Sequence, residues 1–217
     1  MPGSVRYNKI IDLLEQGKPV FSAGTIMNRN LDDLTLVADS GYDMLVIEME
    51  HQGFNFDDLR ASLHFLLSRK QIADGGTLQA DPVPMVRIPP NTNEQNQWVI
   101  KQALDTGVYG LVLPHLSTVE GAQAAVIAAR YPQVPGSADF EPPGERGWWQ
   151  RLAPRYWGLT AQEYYDAADL WPLDPDGNML LMGIVEDPEG VKNLPDILRA
   201  VKGIGAIWAG PATCRWR

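Results

Sequence analysis

Four short stretches hold the side chains with chemistry to offer. "VIEMEHQGF" brings Glu48, Glu50 and His51 together. Alternate residues of an extended segment share a face, so the two carboxylates fall on one side and the histidine in the turn beyond. A histidine beside carboxylates is held in one tautomer and can serve as a base; the plainer reading is a solvated acidic loop. "MVRIPPN" presents Arg87, whose guanidinium suits a carboxylate or an enolate oxygen, or a simple surface ion pair. "GIVEDPEG" presents Glu186, an oxygen donor of the kind Mg²⁺ or Mn²⁺ takes. The alternative is an acidic charge at a helix N-terminus, a role that Asp187 and Glu189 fit better than Glu186 does. "ALDTG" contributes Asp105 near a helix end, structural by default yet placed to reach a histidine from below. His64 falls mid-helix, and His115 ranks below His51 because no carboxylate stands beside it in sequence.

Other chemistries lack their residues. The six lysines, Lys9, Lys18, Lys70, Lys101, Lys192 and Lys202, all fall in or beside expected helices or ahead of the first strand. None ends a strand, which argues against an amine that forms Schiff bases. There is no G-x-S-x-G nucleophile elbow and no G-x-x-x-x-G-K-[ST] phosphate loop.

The positioning elements follow from periodicity. Short apolar runs alternate with longer amphipathic ones, the mark of repeated βα units and a parallel sheet. Strands are expected at 19–26, 42–49, 82–88, 108–114, 178–186 and 204–210, with room for a short seventh near Arg146. Helices are expected at 30–41, 55–70, 93–107, 117–131, 160–171 and 190–203, with Asn30 and Ser117 as N-caps and Glu120 completing a capping box. Residues 132–178 interrupt the rhythm with a segment rich in proline and tryptophan; such aromatic content argues against disorder. In an α/β barrel the chemistry sits where strands end, which is where Glu48, Arg87, Glu186 and Gly210 fall.

Composition bounds the rest. The chain has 217 residues, 45% hydrophobic and 21% charged, and reads as one globular domain. A net charge of −9 argues against nucleic acid as a partner. No apolar run has the length of a membrane span, and the start lacks the basic and apolar regions of a secretory signal. A single cysteine, Cys214, excludes an internal disulfide and fits a reducing cytoplasm.

In order, "GYDMLVIEMEH", "VRIP", "ALDTGVYGLVLPHLSTVEGA", "PPGERG", "IVEDPEGVKNLPDIL" and "GIGAIWAGP" resemble the HpcH/HpaI aldolases, metal-dependent class II pyruvate aldolases, over about residues 20–211. The resemblance implies a (β/α)8 TIM barrel of the phosphoenolpyruvate/pyruvate type. It implies aldol cleavage or condensation of a 2-keto acid, giving pyruvate and an aldehyde through a metal-bound enolate. The cofactor would be Mg²⁺ or Mn²⁺, with Co²⁺ also admitted. On this pattern Glu186 is a metal ligand, His51 the base and Arg87 the residue that stabilises the enolate oxygen. Asp105 and Glu48 orient the histidine and its waters, and Gly210, Pro211 and Ala212 line the substrate. Glu48 departs from the aspartate common at its position. A citrate-lyase-β-like or malyl-CoA-lyase-like enzyme, which shares fold and metal chemistry, is the more distant alternative. Trimers or hexamers are implied for the family.

The ending departs further. The family continues Gly-Pro-x-Asp-Leu-Ser, and the aspartate is the second metal carboxylate; here Thr213 holds that position. A neutral hydroxyl is a poor replacement on Mg²⁺. Codons compatible with Ala-Thr-Cys-Arg-Trp-Arg, preceded by one added guanine, read Gly-Asp-Leu-Ser-Met-Ala. Residues 212–217 are therefore expected to be an out-of-frame tail on a barrel lacking its last strand and helices, and a catalytically impaired chain that does not assemble is the alternative to an active aldolase.

Overall fold

The computed structural model describes residues 5–26, 30–90, 94–148 and 151–210. Seven strands form one parallel sheet: β1 (Ser22–Ile26), β2 (Met44–Glu48), β3 (Val83–Arg87), β4 (Gly110–Leu113), β5 (Leu170–Trp171), β6 (Met179–Val185) and β7 (Ile204–Ala209). β1 to β4 and then β6 lie side by side, each pairing its neighbour in parallel. The outer edge of β6 is shared in series. β5 pairs its first two residues, Met179 and Leu180, and β7 takes over from Leu181 to Val185.

Helices flank the strands as the alternating pattern requires: α1 (Lys9–Glu15), α2 (Leu31–Ala38), α3 (Phe56–Leu66), α4 (Arg69–Gly75), α5 (Gln97–Asp105), α6 (Val119–Ala129), α7 (Leu152–Trp157), α8 (Ala161–Ala167) and α9 (Pro188–Ala200). Covered on both faces, strands read as continuous apolar runs; all of β2 and β4, and all of β3 except its last residue, are buried. Neighbouring strands sit close. A Cβ on Gly110 would stand 2.2 Å from the carbonyl oxygen of Leu180 on the neighbouring strand.

The segment before α1 seals one end of the sheet. Asn8, fully buried, donates through Nδ2 to the carbonyls of Tyr109 and Asn178, just ahead of β4 and β6. Lys9 reaches Asp43 at 2.9 Å and Asp81 at 2.8 Å, just ahead of β2 and β3. The N-terminal ends of the strands are thus closed, which leaves the other end for a site.

Apart from β5, the proline- and tryptophan-rich segment packs outside the sheet. Trp157 stacks on Tyr109 with centroids 4.1 Å apart and rings 6° from parallel, and its indole donates to the carbonyl of Gly107. Fully buried Arg130 at the end of α6 gathers the loop beyond it. It forks onto Asp169 with two bonds of 2.7 Å, and also donates to Pro142 O, Asp139 O and Asp139 Oδ2.

Four local expectations are corrected. The seventh strand is Leu170–Trp171, not a segment near Arg146. Arg146 instead gives its N–H to Arg130 O, and its buried side chain is taken by Asp105. The helix expected at 160–171 stops at Ala167, because Asp169 turns the chain: its carboxylate accepts the Leu170 N–H and its carbonyl accepts that of Met179. The helix expected at 55–70 breaks at Leu67, and Ser68 caps a separate α4. Thr118, not Ser117, caps α6, since the Ser117 hydroxyl donates to Asp187 across the sheet. The expected start of α5 at residue 93 lies outside the described residues.

Candidate functional site

Two clusters stand at the C-terminal ends of the strands. The first grows from β2 and β3, whose register puts Glu48 directly opposite Arg87. Glu48 is fully buried, and both its oxygens are occupied. Oε1 accepts the backbone N–H groups of Glu50 at 2.7 Å and His51 at 3.0 Å. Oε2 accepts Arg87 Nε at 2.7 Å and pairs with the Arg87 Nη2 group. The carboxylate therefore shapes the turn after β2 and fixes the guanidinium in one step. Charge-assisted bonds of this kind are the stronger ones.

Glu50 completes the cluster. Its Oε2 lies 3.2 Å from Arg87 Nε and 3.3 Å from His51 Nε2. Burial raises its pKa, Arg87 and His51 pull it down, and the charges of Glu186 and Glu48 push it up; the net direction is upward. The imidazole that Glu50 meets stays largely open to solvent, with its side chain 65% exposed. Glu50 thus takes the position beside the imidazole expected of Glu48. Alternation along β2 marks it only as a companion carboxylate.

The second cluster joins β4 to β6. Glu186 follows β6, and its Oε1 accepts the backbone N–H of His115 at 3.0 Å, with His115 Nδ1 at 3.6 Å. Asp187 caps α9 through the Gly190 N–H and takes the Ser117 hydroxyl at 2.7 Å. Gly210 lies alongside at the end of β7: it donates to Val185 O, and a Cβ there would stand 3.2 Å from that of Glu186. The charge of Glu186 acts on Glu50 and so ties the two clusters into one electrostatic neighbourhood.

Asp105 lies elsewhere. It ends α5, and Arg146 donates to its Oδ1 at 2.8 and 3.1 Å. The same guanidinium reaches Met179 Sδ at the first residue of β6 and sits 4.4 Å over the Tyr131 ring. Within one chain Asp105 is therefore joined to the N-terminal end of the strands rather than to His51. His64 meets Tyr156 edge-on at 6.4 Å between ring centroids, a packing contact. Pro211, Ala212, Thr213 and Cys214 lie outside the described residues.

The donor set suits a divalent cation: Glu186 supplies a carboxylate oxygen at the open end, with an imidazole beside it. A second group, Asp139, Asp169 and Asp174, also brings carboxylate oxygens within 4.8 Å of one another. It stands at the N-terminal end of β5 and β6, and the Arg130 guanidinium pairs with two of the three.

Residues 28–213 match the sequence pattern of the HpcH/HpaI aldolase/citrate lyase family. The chain belongs to that family. Similar family relatives include hydroxypyruvate/pyruvate aldolases of Roseovarius nubinhibens and Roseobacter denitrificans. The first is 31% identical over 82% of this chain and 56% of its own length, the second 28% identical over 82% and 57%. The chain thus spans somewhat more than half the length of these relatives. A family protein from Burkholderia cenocepacia superposes with a TM-score of 0.72 at 24% identity, over 95% of this chain and 70% of its own. That likeness identifies the TIM-barrel fold of the family. Its lineage is one of lyases and aldolases. Among the described residues no helix is long and apolar enough to cross a membrane.

Proposed function

We infer that the chain carries the pyruvate half-site of a divalent-metal-dependent aldolase, which joins or cleaves pyruvate and an aldehyde. One observation carries this reading: a base candidate, a fixed guanidinium and an oxygen donor share one end of the sheet, and the Glu50 carboxylate senses all three. A cation held at Glu186, Mg²⁺ or Mn²⁺ by its donor chemistry, supplies Lewis acidity toward the keto acid when bound. His51, with Glu50 at its Nε2, accepts a proton from the pyruvate methyl group. Arg87, clasped by Glu48 and Glu50, offers fixed positive charge to the oxygen on which negative charge develops. The methyl carbon then bonds to the aldehyde carbon and the aldehyde oxygen takes up a proton; cleavage runs the same steps in reverse. Gly210 lets the chain after β7 pass close beside Glu186, where a side chain would run into Ile184.

Deuterium exchange at the pyruvate methyl group, followed by NMR with and without Mn²⁺ or Mg²⁺, tests this without a choice of aldehyde. Metal-dependent exchange that disappears in His51→Ala is expected. No exchange, either from this chain or from a version extended with Gly-Asp-Leu-Ser and the elements the relatives carry, would sink the reading.

A further inference from the structure

We propose that His115 is itself a metal ligand, supplying an imidazole nitrogen beside the Glu186 carboxylate and turning the site toward metals that accept nitrogen. The proposal rests on the reading of Glu186 as the cation-holding carboxylate.

The geometry comes from both ends of the turn after β4. His115 adopts φ +52°, the left-handed region that non-glycine residues avoid. Two bonds hold it there: its own N–H donates to Glu186 Oε1, and the next N–H, of Leu116, donates to Ile184 O at 2.9 Å. The result carries the imidazole back over β6, with Nδ1 3.6 Å from Glu186 Oε1 and 3.9 Å from Asp187 Oδ2. A cation about 2.1 Å from both the nitrogen and the Glu186 oxygen would see them at roughly 120°, an angle that four- and five-coordinate divalent ions accept.

Asp187 is committed to the Gly190 N–H and the Ser117 hydroxyl, so it adds negative charge nearby. The side chain of His115 is 31% exposed, enough for an ion to reach it from the open end. An imidazole donor matters because Mg²⁺ prefers oxygen and holds its water, whereas Co²⁺ and Zn²⁺ take nitrogen readily and Mn²⁺ accepts it beside oxygen donors. A site of one carboxylate and one imidazole should therefore rank Co²⁺ and Mn²⁺ well above Mg²⁺.

Metal binding to the purified chain, read without turnover, decides the matter. Mn²⁺ and Mg²⁺ affinities are measured by calorimetry, and the Mn²⁺ complex by pulsed EPR, which detects a directly bound nitrogen. Wild type should show the nitrogen coupling. His115→Asn keeps a residue that tolerates the left-handed backbone; it should lose the coupling and bind Mn²⁺ at least about tenfold more weakly, with Mg²⁺ binding little changed. His115→Gly, which also accepts the positive φ, should regain the coupling when free imidazole is added, a result that misfolding would not give. Coupling that persists in His115→Asn, or Mn²⁺ affinity unchanged there, overturns the proposal. If Glu186→Gln abolishes binding in that same case, the carboxylate reading survives and only the imidazole role falls. Failure of wild type to bind Mn²⁺ at millimolar concentration would remove both.

Discussion

Replacing Arg130 with methionine would remove the guanidinium that organises the loop between α6 and β6. The side chain is fully buried and makes five hydrogen bonds, two to Asp169, two to Asp139 and one to the Pro142 carbonyl. Removing one partner of a buried ion pair costs about 3–5 kcal/mol, because the charge left behind stays dry. Two facts place this case at the lower end. Asp139 is 24% exposed and can recruit water, and Asp169 keeps the N–H of Leu170 and the amide of Gln133. A loss of about 3 kcal/mol lowers the folding equilibrium constant by roughly a hundredfold. With a urea slope of about 2–3 kcal/mol per molar for a chain of this size, the midpoint should fall by about 1 M. Equilibrium unfolding in urea, followed by tryptophan emission, reads it directly. Arg130→Lys keeps the charge but not the fork and should fall between. Adding Asp169→Leu to Arg130→Met should recover part of the loss, since the orphaned carboxylate goes with it. A midpoint within about 0.3 M of wild type at unchanged slope would mean that the pair is not dry, and the reasoning from burial would fail.

Three further outcomes follow from other contacts. Gly110→Ala pushes a methyl group into the Leu180 carbonyl oxygen at 2.2 Å, so it should cost about 3 kcal/mol or more and shift the chain into inclusion bodies, with wild-type soluble yield as the result that refutes it. Glu48→Gln sets an amide NH2 against donors whichever way it turns, Arg87 on one side or the Glu50 and His51 N–H groups on the other; methyl exchange on pyruvate should fall about a hundredfold through misplacement of the guanidinium or of the turn, and an unchanged rate by NMR would remove Glu48 from the site. Burial raises the pKa of Asp43, but the Phe21 N–H and Lys9 outweigh it and the net direction is downward. Its stabilisation is therefore present above the ordinary carboxylate range and lost as pH falls below about 4. Asp43→Asn should flatten the drop in urea midpoint between about pH 5 and pH 3, and an identical slope would show that this carboxylate does not set the acid limb.

Much of the frame was legible because its signals are local. β4 and β6 are apolar throughout, and β2 and β3 up to their last residues, Glu48 and Arg87, so each strand appears near its expected place. Asn30 caps α2 as expected, since the side-chain bond to Asp32 N spans two residues. The misses are non-local. The partner of His115, Glu186, is 71 residues away and meets it only because β4 and β6 are neighbours. Ser117 has the sequence position of a cap, but Asp187 on the far side of the same strand pair claims its hydroxyl. Glu50 gains its importance from the closeness of Arg87 and His51 together, which spacing along β2 alone does not reveal. The sequence lets Asp105 reach a histidine, but its partner, Arg146, sits in the segment whose course the rhythm does not follow.

The pairing of Glu48 with Arg87 also bears on how accurately the chain can fold. β2 is buried along its whole length, so hydrophobicity alone would tolerate a slip by one residue against β3. A slipped arrangement would leave a carboxylate in the interior without its cation, at a cost of several kcal/mol. The ion pair thus acts as a proofreading mark, admitting only the alignment in which Met44 faces Val83 and Glu48 faces Arg87. A variant with both charges replaced by leucine should remain compact yet lose this discrimination, giving doubled backbone resonances for β2 where the native chain gives one set.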